Sequence, residues 1–184
     1  MQSHIFNNNF LTYLALLSLP FVIVGFISII SYHLKSKNLN YTNRQGPLIS
    51  TGIILGSGLG GFIDGILFHQ ILQWHDILSA VNAPDSLIKK QVNVFWDGLF
   101  HSFTLVFTII GVLLLWNLFF TKGNIISNRI FVGAIVMGCG LFNIIEGTLN
   151  HYILNFHNVR EITKDPQLYN HIFSGFFCLL LIAG

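Results

Sequence analysis

The stretch Gly56-Ser-Gly-Leu-Gly-Gly-Phe-Ile-Asp64-Gly-Ile-Leu-Phe-His69-Gln-Ile-Leu-Gln-Trp-His75-Asp76 returns without a gap as Gly138-Cys-Gly-Leu-Phe-Asn-Ile-Ile-Glu146-Gly-Thr-Leu-Asn-His151-Tyr-Ile-Leu-Asn-Phe-His157-Asn158. The offset is 146 − 64 = 82 throughout. Ten positions are identical, and Asp64/Glu146 and Trp74/Phe156 exchange within their class. Apolar matches alone arise easily between apolar segments, but a carboxylate and two histidines in register do not. Self-similarity of this kind is read as an internal repeat.

A fainter match follows each copy. Trp96-Asp97-Gly-Leu-Phe-His101 is similar to Tyr169-Asn170-His171-Ile-Phe-Ser174. The reading is one transmembrane domain over 1–184, with an extra first helix and loop in 1–48, repeat one in 49–120 and repeat two in 128–184. Two helices per unit leave both copies in the same orientation, as in parallel repeats about the membrane normal. The expected fold is all-α: a pseudo-two-fold four-helix bundle plus an N-terminal helix.

Composition says which solvent surrounds it. Of 184 residues, 53% are hydrophobic and 9% charged, against roughly 25% charged in a soluble domain. So short and apolar a chain needs lipid. The net charge of +2 offers no basic surface for nucleic acid. Cys139 and Cys178 lie in apolar runs and form no CxxC pair. Apolar stretches run over 10–32, 49–74, 95–120, 130–154 and 169–184. A spanning helix takes about 20 residues, so about five helices are expected. The first is expected to be a spanning helix rather than a cleaved signal, because its flank lacks Lys and Arg and Pro20 lies inside it.

Orientation follows Lys and Arg. The tail before the first helix has none. Lys35, Lys37 and Arg44 follow the first helix, and Lys122 and Arg129 follow the third. Lys89 and Lys90, and Arg160 and Lys164, occupy the other loops. The larger basic share marks the cytoplasmic side, which predicts the first and third loops in the cytoplasm and the N-terminus outside. Gly52, Gly56 and Gly60, and Gly61 and Gly65, recur at the spacing that lets spanning helices pack closely.

Asp64, Asp97 and Glu146 stand within or beside apolar spans, where a carboxylate is costly and marks function. His69, His75, His101, His151, His157 and His171 join them. At about 1.5 Å per residue, Asp64 and His75 lie roughly 16 Å apart on a continuous helix. Three layers are therefore expected: His75, His157 and Asp97 outermost, His69, His101 and His151 in the middle, and Asp64 and Glu146 innermost. Three imidazoles at one depth suit copper or zinc, and also iron. The carboxylates would ligate or orient. His171 is left as either a fourth ligand or an interfacial residue, and His4 and His33 as surface residues. Asp64 and His69 are five apart, roughly 140° around an α-helix. They meet only across a π-bulge; otherwise they address different neighbours.

The segment Gly61-Phe-Ile-Asp-Gly-Ile-Leu-Phe-His-Gln-Ile-Leu-Gln-Trp-His75 resembles a bacterial family of predicted integral-membrane proteins of unknown function. Asp97-Gly-Leu-Phe-His101 and Glu146-Gly…His151…His157 are similar to its other two signatures. The chain departs at Asn150, Tyr152 and Asn158, where the family is richer in histidine and has an Asp. The resemblance therefore gives those three no ligand role. It implies a membrane protein, in a bacterial inner membrane, and no particular activity.

The functional expectation is thus a membrane protein with a His/carboxylate transition-metal centre near the outer face, copper favoured and zinc or iron open. It would act in redox or hydrolytic catalysis, or without catalysis in copper handling or oxidase assembly. A haem b protein with His69 and His151 as axial ligands, and a proton or ion translocator, are the rival readings. The lipid bilayer is the expected partner, with a homo-oligomer or larger membrane complex left open.

Overall fold

The computed structural model describes residues 9–36, 45–120 and 127–184. His4, Lys37, Arg44 and Lys122 lie outside them, and the side chains of His33 and Lys35 are likewise not described. Among the described residues the chain is all-helical, without strands. Its helices are α1 (Phe10–Ser36), α2 (Gly46–Asp64), α3 (Leu87–Phe120), α4 (Asn128–Gly147) and α5 (Pro166–Ala183). Each is long and apolar enough to cross a membrane.

Helix starts follow local chemistry. Pro47 sits in the first turn of α2 and Pro166 opens α5, where a missing N–H costs nothing. Asp165 caps α5 by accepting from the Leu168 N–H at 3.1 Å. α3 begins at Leu87, eight residues ahead of the apolar stretch, because Lys89 and Lys90 are good helix formers although polar. Its 34 residues span about 51 Å, well beyond a hydrocarbon core of about 30 Å. α3 is therefore longer than the apolar layer is thick.

α2 and α4 form the central pair, with α3 flanking α2, α5 flanking α4, and α1 laid against α2 and α4. Glycine sets how closely they approach. A Cβ on Gly56 would strike the Ile135 carbonyl, and one on Gly138 would meet Ile53 Cα at 2.7 Å. These two contacts exchange under the 82-residue offset. A Cβ on Gly58 would lie 2.6 Å from Thr108 N on α3, and one on Gly140 the same distance from Leu181 N on α5. Here the flanking helices keep the offset 170 − 97 = 73 seen in the sequence. Phe21 of α1 packs on Phe142, Phe107 and Phe103 with ring centroids 4.8, 5.0 and 5.4 Å apart. Exposed apolar residues such as Leu113, Trp116, Phe119 and Leu179 cover the outside, as lipid requires.

Two departures from α-helix place the site. α2 continues as a π-helix over Gly65–Ile71, and α4 continues as one over Thr148–Ile153. Each is followed by a residue at positive φ: Gln73 at 50° and Asn155 at 51°. The chain then folds back over the helix ends as the covering loops 72–86 and 154–165.

Candidate metal centre

The π-turns resolve the awkward spacing of Asp64 and His69. With i→i+5 bonding, residues five apart lie nearly above one another. His69 Nε2 comes within 3.6 Å of Asp64 Oδ2. On α4, Glu146 and His151 enter one potential metal-binding group with His157.

The expected layering needs correction. The helix does not continue to His75: it ends at Ile71, and the left-handed residue Gln73 turns the chain back. The His75 ring then lies 4.4 Å from the His69 ring, and His151 and His157 rings lie 4.8 Å apart. His75 and His157 are 4% and 1% exposed, so they are core residues rather than a solvated outer layer. Four imidazoles share one buried cluster. His69, His75 and His157 can each offer a ligand atom within 4.8 Å of the others, and so can Glu146, His151 and His157.

Hydrogen bonds fix the tautomers. His75 Nδ1 donates to the Val159 carbonyl at 2.8 Å, and His157 Nδ1 to the Ile77 carbonyl at 3.0 Å. His69 Nδ1 donates to Asp97 Oδ1 at 3.0 Å. Carbonyl and carboxylate oxygens only accept, so each Nδ1 carries a proton, and in a neutral ring Nε2 then presents a lone pair. All three Nε2 atoms are buried without a hydrogen-bond partner, as are Asp64 Oδ2, Glu146 Oε2 and His151 Nδ1. Burial lowers the pKa of His75 to about 3 and that of His157 well below its ordinary value. Both imidazoles are thereby kept neutral, as ligation requires.

The scaffolding of this cluster recurs between the two halves. Asp97 Oδ1 also accepts the Ile77 N–H at 2.9 Å, and Asn170 Oδ1 accepts the Val159 N–H at the same distance. One pair therefore joins each covering loop to its flanking helix. The halves differ in charge: His69 has a carboxylate behind it, whereas His151 Nδ1 has no partner. Asn150 donates to Glu146 Oε1 at 2.8 Å, an orienting contact.

His101 is not brought into the cluster. Its Nδ1 is held by the Asp97 carbonyl at 2.7 Å, and it belongs to neither potential metal-binding group. His171 is exposed, and its Nδ1 bonds Tyr152 Oη at 3.1 Å. The sequence reading missed the carbonyls of Ile77 and Val159, which carry no side-chain signal. It also missed Asn170 as a support, although the 73-residue offset pointed to it. Asp76 escaped notice too; it is buried and paired with Lys90 Nζ at 2.7 Å.

Neither a curated protein nor a solved structure matches the chain. A family model described as a predicted membrane protein, DUF2243, matches residues 51–184. That span holds both motif copies, both π-turns and every residue of the cluster, and the chain belongs to this family of predicted membrane proteins.

Proposed function

We propose that this chain is an integral-membrane metal-binding protein. A transition-metal centre would be held by His69, His75, His151 and His157, with Asp64 and Glu146 as further ligands and Asp97 as the orienting carboxylate. The observation that carries the reading is the convergence of the buried, unpartnered Nε2 atoms of His69, His75 and His157, whose Nδ1 protons are already committed. Metal-bound histidines characteristically donate the other ring N–H to a carbonyl or carboxylate. Charge supports the same conclusion. Asp64, Asp97 and Glu146 are at most 2% exposed, and a bound cation offsets such buried charge. Imidazole with carboxylate suits copper first, and zinc or iron. A haem between His69 and His151 fits poorly, because the stacked His75 and His157 rings fill that space.

A second reading has one observation in its favour. His69 lies between Asp97 at 3.0 Å and Asp64 at 3.6 Å, a setting that suits an imidazolium and a proton relay along the carboxylates.

The proposal also takes 49–120 and 128–184 as two parallel repeats, on the strength of the contacts recurring at the two offsets. It places loops 72–86 and 154–165, and the centre beneath them, on the outer side of the membrane on the strength of the Lys and Arg distribution, and takes that membrane to be a bacterial inner membrane on the strength of the resemblance. Elemental analysis with a visible spectrum of the purified protein tests it. Stoichiometric transition metal supports the reading, no uptake of copper, zinc or iron favours the proton relay, and a strong Soret band favours haem.

A further inference from the structure

The two covering loops do not close completely over the cluster. Between them lies a pocket of about 290 Å³, lined among others by Gln73, His75, Asp76, Ser79, Lys90 and Glu161. Six waters occupy roughly 180 Å³ at about 30 Å³ each, so the pocket can take a hydrated divalent cation. His75 is the sole cluster histidine on its lining, and its ring lies 4.4 Å from both His69 and His157. The His75 side chain is buried, with Nε2 unpartnered.

The wall is anionic and contains a displaceable cation. Both Asp76 oxygens accept from Lys90 Nζ, at 2.7 and 2.9 Å. Lys90 keeps its side chain 41% exposed, so its ammonium can swing into water on a flexible stem. Glu161 is fixed at the rim by Ser79 Oγ at 3.0 Å and the Asn158 N–H at 2.8 Å. Two carboxylates against one ammonium favour cation entry.

We propose that this pocket is the entry for the metal ion, where Asp76 accepts a hydrated divalent cation in place of the Lys90 ammonium and passes it to His75. The inference rests on the metal-centre reading. In the exchange Lys90 moves out, the cation sheds water, and no bond to hydrogen changes. An entry group alters the rates of loading and release together and leaves Kd unchanged, whereas a ligand alters Kd.

The test is stopped-flow loading of the metal-free full chain with Co(II), followed by its visible bands, and release into excess chelator. Asp76→Asn is expected to slow both rates by about tenfold or more. Ala83→Trp, a surface change that plugs the pocket, slows both with the same final spectrum and stoichiometry. Both variants keeping wild-type rates, within about twofold against a steering effect of tenfold or more, would overturn the entry route alone. A wild-type chain that acquires no Co(II) bands overturns the metal centre and the route together.

Discussion

His75 and His157 stack face to face, with ring centroids 4.4 Å apart and planes inclined by 6°. Each donates Nδ1–H to a carbonyl in the other's covering loop, Val159 for His75 and Ile77 for His157. The two loops are thereby cross-tied at the centre of the cluster. Neither histidine can leave without releasing the opposite loop, which links site assembly to the closure of the fold.

Asp97 should act through His69 and the Ile77 N–H. Asp97→Asn keeps an oxygen for Ile77, as Asn170 does for Val159, but removes the charge behind His69. Metal affinity is expected to fall about 10–100-fold with the fold intact, read by competition against a chelator. Unchanged affinity would remove Asp97 from the account.

His101 supplies the contrast. His101→Ala should leave metal stoichiometry unchanged, while His69→Ala should abolish stoichiometric binding. Elemental analysis of both folded variants checks this, and loss of metal in the His101 variant would restore it as a ligand.

How much of this was legible? The apolar stretches predicted the five helices, and the glycine spacing predicted the close approach at Gly56. The five-residue step from Asp64 to His69 raised the π-bulge but left it open, because an α-helical path was equally allowed. The layered site failed at one torsion. Gln73 and Asn155 take positive φ, a conformation favoured by Gly and Asn, and Gln73 gave no hint of it. That turn replaces an axial separation of roughly 9 Å between His69 and His75 with ring contact. It also makes His75 a cluster member while His101 stays at the edge.

Helix approach gives a stability prediction. Gly56→Ala forces a Cβ into the Ile135 backbone and should cost about 1–3 kcal/mol by overpacking. At Gly175 a Cβ meets nothing within 4 Å, so Gly175→Ala should be neutral or gain about 0.5–1 kcal/mol from helix propensity. Thermal unfolding in detergent ranks them. Equal midpoints for the two variants would mean that α2 and α4 are not closely packed.

Orientation is checked by labelling. A reporter fused after Gly184 should read as cytoplasmic, and a tag at the exposed Ala83 should be reached from outside the cell. The opposite pattern would turn the centre toward the cytoplasm and leave its internal geometry untouched.

The central claim is tested most directly by the metal content of two purified, folded proteins, wild type and a His69→Ala/His157→Ala double variant, each loaded with copper or zinc and then desalted. The account predicts a stoichiometric ion in the wild type and none in the double variant, with helical content preserved in both. Stoichiometric metal retained by the double variant, or none taken up by the wild type, would contradict it.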